Sequence, residues 1–140
     1  MSLKIIKLYI QMSKYVADTM AIVLFIEKRK LPGHVKKIFN DTIQGKASMS
    51  FSAISLTEIG YLSEKLRIDI SVASVLRFIG ENENFSIHSL DSTTVLEAFK
   101  IKNIPELHDR LITASAAVLK ASLITNDPII QKSGYVETIW

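Results

Sequence analysis

The chain has 140 residues, 48% of them apolar, enough for one well-filled domain and too apolar for a chain that stays disordered. It contains no cysteine, which excludes disulfides, thiolate metal sites and a cysteine nucleophile, so any metal must be held by oxygen or histidine, as hard cations such as magnesium or manganese are. Seventeen basic residues against 14 acidic ones leave a net charge of +3, too small an excess to name an anionic partner by itself.

Residues 1–13 are mildly apolar but interrupted by Lys4 and Lys7, with no apolar stretch leading to a small-residue cleavage site. They read as an N-terminal extension, with Met12 as the natural start of a single domain over 14–140. A short apolar strand over 15–17 ends at Asp18, and a helix follows over 20–27. The longest apolar run, residues 20–26, is too short for a bilayer, which needs about 20 apolar residues. A cytoplasmic protein with no membrane contact is therefore expected.

Pro32 at a first helical position starts a second helix, to about Gln44. A strand over 47–51 leads into helical periodicity over 52–67, and a further helix begins at 72 and runs to 79. Residues 85–90 alternate as a strand. Helices over 93–102 and 109–120 follow, then a strand over 122–125 and a last one over 136–140. Strands alternating with helices imply βαβ units, hence an α/β fold with a mainly parallel sheet and helices on both faces.

Four acids stand out. In open parallel sheets ligands bind beyond the carboxyl ends of the strands. Asp18 follows the first strand, and Asp127 lies just beyond the 122–125 strand, so both would stand at one sheet edge. The alternative for each is a helix N-cap, ahead of the 20–27 helix and of Pro128. Glu58 lies mid-helix on the face shared by Ile54 and Leu62, with Tyr61 nearby. An inward glutamate needs a partner; the alternative is a border glutamate paired with Lys65 or Arg67. Asp109 opens the 109–120 helix, where an acid also complements the helix dipole. Beside it, Arg110 is a candidate phosphate contact, with a solvent-facing position as the alternative, and His108 either joins it or caps locally. If the four share one pocket, 17 basic residues face ten acids elsewhere, an excess of +7. That suits a polyanion held by its phosphates.

The stretches YVADT at 15–19, SAISLTEI at 52–59, LHDRLI at 107–112 with Ala114 and Ala116, ASLITND at 121–127, and the ending from Gly134 to Trp140 together resemble the PIN-domain family. Within it they look like the VapC-type toxins of type II toxin–antitoxin pairs. The resemblance covers about residues 14–140. It implies a three-layer α-β-α sandwich around about five strands, and magnesium- or manganese-dependent endonucleolytic cleavage of RNA leaving a 5′-phosphate and a 3′-hydroxyl. It makes Asp18, Glu58, Asp109 and Asp127 the metal-holding and catalytic acids, with Thr19 and Thr125 in support. It also implies a homodimer and an antitoxin whose C-terminal segment covers the pocket. One departure is Met20, where the family often has serine or asparagine. It motivates the alternative of a PIN-like RNA-binding protein without turnover. Other acid-based phosphotransfer folds fit less well: a receiver domain needs an acidic pair and a late lysine, and a haloacid-dehalogenase-like enzyme needs a second aspartate where Met20 stands.

Overall fold

The computed structural model describes residues 2–4 and 12–140, so residues 1 and 5–11 of the extension expected over 1–13 fall outside them. Five strands, β1 (Ser13–Ala17), β2 (Ala47–Ser52), β3 (Phe85–His88), β4 (Ser122–Ile124) and β5 (Thr138–Ile139), form one sheet in the order β3-β2-β1-β4-β5. Every pairing is parallel. Successive residues of the central strands enter opposite cores: Val16 and Leu123 one, Ala17 and Ile124 the other. A strand buried on both faces is a continuous apolar run rather than an alternating one, which is how residues 15–17 and 123–124 read.

The chain moves outward from β1 to β2 to β3, then returns to the other side of β1 for β4 and β5. Right-handed crossovers put helices on one face during the outward run and on the opposite face after the return. Helices α1 (Thr19–Ile26), α2 (Gly33–Ile43), α3 (Ala53–Glu64) and α4 (Val72–Glu81) precede β3. Residues from all four fill the core built on Phe39, Met49, Phe51 and Phe85. Helices α5 (Ser92–Lys100), α6 (Leu107–Leu119) and α7 (Pro128–Ser133) follow, and with β1 and β4 they close the second core around Ala98, Ile112, Leu123 and Ile130. This is the expected three-layer α/β architecture. Strand order reverses between β1 and β4, which leaves a crevice at their carboxyl ends.

The differences from the expected elements have local causes. The helix expected over 52–67 is shorter because Ser52 completes β2 and caps α3, its hydroxyl accepting the Ile54 N–H. At the other end Leu66 turns to a φ of 55°, a left-handed conformation that ends a helix. Pro32 is the cap of α2 rather than its first residue. The helix expected from 109 begins at Leu107 because the Glu106 carboxylate takes the cap, accepting the Asp109 N–H at 2.7 Å. It stops at Leu119, where Lys120 takes a φ of 54°. β3 ends at His88, short of the expected residue 90, and β5 keeps only two residues of the strand expected over 136–140. Residues after Asp127 form a helix with Pro128 in its first turn. Among the described residues no helix is long and apolar enough to cross a membrane.

Candidate active site

The crevice is built by strand ends and helix starts. Asp18 directly follows β1, and its N–H donates to the Ile124 carbonyl of β4 at 2.9 Å, which fixes it where the strand order reverses. Its Oδ1 accepts the Ala21 N–H at 2.8 Å and so caps α1. Asp127 Oδ1 caps α7 by accepting from Ile129 at 2.8 Å and Ile130 at 3.3 Å. The capping role of both acids is thus real, and it does not compete with a site. Each cap engages Oδ1, and the other oxygen of each carboxylate takes no part in it. The buried Thr125 hydroxyl accepts the Asp127 N–H at 3.1 Å.

Glu58 reaches the same crevice from α3. Its Oε1 accepts the Thr19 hydroxyl at 2.6 Å, and Thr19 Oγ1 also lies 3.1 Å from the hydroxyl of the fully buried Ser55. Its Oε2 is 3.7 Å from His108 Nδ1 of α6. The face expected to run through Ile54 and Leu62 is only half-buried, and Tyr61 is exposed. No ion pair with Lys65 or Arg67 is formed among the described residues; Lys65 instead holds its ammonium 5.5 Å from the centre of the Tyr61 ring.

The four carboxylates line one pocket of about 390 Å³, together with Thr19, Met20, Ile112 and Asn126, and no lysine, arginine or histidine lines it. Asp109 is pushed up to about 6, first by burial, then by the negative charges of Asp127, Glu106, Glu58 and Asp18. Asp18 is also raised by burial, and then by Asp127 and Glu58, against the lowering effect of hydrogen bonds from Thr125 and the Ala21 amide. The neighbouring negative charges therefore add to burial in disfavouring ionisation of Asp18 and Asp109. Among the described residues no three acids or histidines converge closely enough to enclose one ion as they stand. The donor set nonetheless fits a hard divalent cation: all oxygen, strongly anionic, and lacking an internal counter-charge.

A test of this electrostatic stress needs no substrate. Below about pH 4 Asp109 is protonated in both folded and unfolded chains and contributes nothing. As pH rises through its folded value of about 6, the folded state bears a repulsion that the unfolded state escapes. In chelator near pH 7, Asp109→Asn should therefore be more stable than the parent by about 1 kcal/mol, after allowance for solvent screening. Thermal denaturation against pH should show the gap closing towards about pH 4. A variant less stable than the parent throughout would contradict the strained-carboxyl account.

The PIN domain family model matches residues 15–134, which takes in all four acids. The chain belongs to the PIN-domain family. Solved structures support the fold. A chain of the VapBC2 structure from Rickettsia felis, bound to a DNA fragment from its promoter, is 17% identical with a TM-score of 0.69, covering 91% of this chain and 98% of that one. The DNA-bound VapBC of Salmonella typhimurium is 19% identical with a TM-score of 0.65, covering 91% and 98%. FitAcB of Neisseria gonorrhoeae is 19% identical with a TM-score of 0.64, covering 90% and 96%. No curated protein matches in sequence.

In this PIN domain Thr19 is part of the site through Glu58, and Thr125 through Asp18 and Asp127. Arg110 stands apart. Its Nε donates to the Ile104 carbonyl and its NH2 group to the Pro105 carbonyl at 3.4 Å, so it pins the loop before α6 and does not line the pocket. Met20 is partly exposed and forms part of the pocket wall. Sequence reasoning weighed His108 only beside Arg110 or as a local cap, and it passed over Ser55. His108 faces Glu58 across the crevice, a contact between α3 and α6 that no local spacing reveals. Ser55 carried a readable signal, lying one turn before Glu58 and therefore on the same helix face.

Proposed function

We propose that this PIN domain is a magnesium- or manganese-dependent endoribonuclease, the toxin of a toxin–antitoxin pair, active as a homodimer and held in check by a cognate antitoxin. The observation that carries the reading is a pocket lined by four carboxylates at the reversal of strand order, two of them held towards their neutral forms, with no cationic side chain in its lining. The likeness in fold to toxin–antitoxin proteins supports the biological role, and the basic excess outside the pocket favours a polyanionic substrate.

Asp18, Asp109, Asp127 and Glu58 would hold the ion. A bound magnesium or manganese ion supplies Lewis acidity toward a phosphodiester and charge neutralisation as the bond breaks. The rest falls to the protein. The strand-end backbone and the two helix caps fix Asp18 and Asp127 before substrate arrives, so no reorganisation is needed there. Thr19 orients Glu58 by donating to its Oε1. Asp109, whose carboxyl is raised to about 6 in the metal-free chain, would ionise and release its proton as it takes up the cation. Met20 and Ile112 give the pocket apolar wall that limits bulk water.

Purified, antitoxin-free protein should cleave a structured RNA in magnesium, and Asp109→Asn should abolish cleavage. Cutting that persists in excess chelator, or in that variant, would overturn the reading. A second reading is RNA binding without turnover. It is favoured by Met20, which puts a thioether in the pocket lining beside Asp18. A chain that binds RNA but neither cleaves it nor takes up manganese would establish that instead.

A further inference from the structure

A second pocket adjoins the acidic one. It has a volume of about 430 Å³ and is lined by Thr57, Glu58, Tyr61 and Leu62 of α3 and by His108 of α6. Glu58 lines both pockets, so anything held in the second lies against the first. The two differ in chemistry. The acidic pocket is bounded by four carboxylates, whereas the second has a mostly apolar lining and an aromatic ring. Tyr61 is 59% exposed, although α3 buries Ser55 and Ile59 and could have placed a small polar residue at that surface position without cost to the core. The Lys65 ammonium sits 5.5 Å from the centre of that ring.

We propose that this pocket is a nucleobase subsite, in which Tyr61 stacks on the base of a nucleotide next to the phosphodiester held at the acids. The inference rests on the nuclease reading for the position of the phosphate, and on the pocket's own chemistry for the base. Its volume exceeds that of a single base. An exposed aromatic ring is a sequence-tolerant stacking platform, because every base presents a π-face. Single-stranded RNA is held in this way, with bases splayed onto aromatic side chains while cations meet the backbone. Lys65 supplies such a cation at the ring, and His108 lines the same pocket 3.7 Å from the Glu58 carboxylate. A site of this kind selects unpaired nucleotides over duplex, whose bases are not free to stack on protein. A second copy of the chain could also cover an exposed tyrosine. Continuity with the acidic pocket through Glu58 and the adjacent ammonium favour a nucleotide.

The test measures binding and cutting separately. The full chain carrying Asp18→Asn, so that RNA is not consumed, is titrated by fluorescence anisotropy against labelled single-stranded oligoribonucleotides of each base and against an abasic counterpart. Adding Tyr61→Ala should weaken binding of the base-bearing probes about tenfold. Tyr61→Phe should leave binding within about twofold, because the ring does the stacking, and the abasic probe should bind the two tyrosine variants equally. Absence of saturable binding, or equal binding by Tyr61→Ala, overturns the proposal. So does a Tyr61→Ala chain that binds RNA normally but changes its sedimentation from dimer to monomer, which would assign the surface to a contact between copies. Cleavage by the parent chain in magnesium is scored independently. Its failure would end the nuclease reading while the anisotropy data still decide whether Tyr61 holds a base.

Discussion

Asp18→Asn should cut RNA cleavage by about a thousandfold, the upper range for losing one preorganised electrostatic group, while leaving the fold intact. The substitution removes a charge and keeps a carbonyl oxygen where Oδ1 now accepts the Ala21 N–H. Asparagine caps helices about as well as aspartate, so α1 keeps its start. Burial already pushes the Asp18 carboxyl up, towards its neutral form, so a neutral side chain is tolerated there without metal. Asp18→Ala should lose cleavage equally and cost about 1 kcal/mol more in stability, the usual value of a lost cap. Initial rates in magnesium, paired with thermal denaturation of the same samples, separate the two effects. Undiminished cleavage by Asp18→Asn would remove Asp18 from the chemistry. Loss of cleavage accompanied by a large fall in stability would assign it to the fold.

Phe39→Ala carries the largest expected cost in stability, about 3–5 kcal/mol. Phe39 is fully buried. Its ring stacks on Phe25 at 4.3 Å between centroids and faces Phe85 at 6.4 Å, while Phe85 in turn meets Phe78 at 4.8 Å and Phe51 at 5.7 Å. Truncation would remove the ring that joins α1 and α2 to the edge of the sheet, and the rigid surroundings would collapse only partly into the space. Domains of this size hold about 5–15 kcal/mol in total, so the variant should unfold at much lower urea with an unchanged slope. The loss should reach the site indirectly, since the same core contains Ala21, Ile22 and Val23 of α1, the helix that carries Thr19. A midpoint shift equivalent to under about 1 kcal/mol would show that the aromatic core is more plastic than its packing indicates.

What could be read before the structure, and what could not, follows from the range of the interactions. The central strands were legible because parallel strands buried on both faces are written as continuous apolar runs. Asp18 and Asp127 were legible as strand-end acids for the same reason. That they sit on adjacent strands was not, because the order β3-β2-β1-β4-β5 depends on a long return from β3 to β4 that no local pattern encodes. Glu58 was singled out for lying among apolar residues, yet its partners Thr19 and His108 are 39 and 50 positions away in the chain, and the stripe it shares is half-buried rather than core. Asp109 was read as the first residue of its helix. Glu106 takes the capping role, which frees the Asp109 carboxyl for the pocket. Arg110 was a plausible phosphate contact by proximity alone, and its hydrogen bonds to the Ile104 and Pro105 carbonyls could be seen only once the loop was folded. The short α7 was foreshadowed only by Pro128 after a capping aspartate.

The central claim is that the four-acid pocket is a site for a hard divalent cation. Isothermal titration of manganese into chelator-stripped protein tests it most directly, with the parent chain and the Asp18→Asn/Asp109→Asn double variant compared at one pH. The account predicts saturable binding of about one or two ions per parent chain, with proton release as Asp109 ionises, and no binding by the double variant. A parent chain that takes up no manganese, or a double variant that binds it as the parent does, would contradict the account.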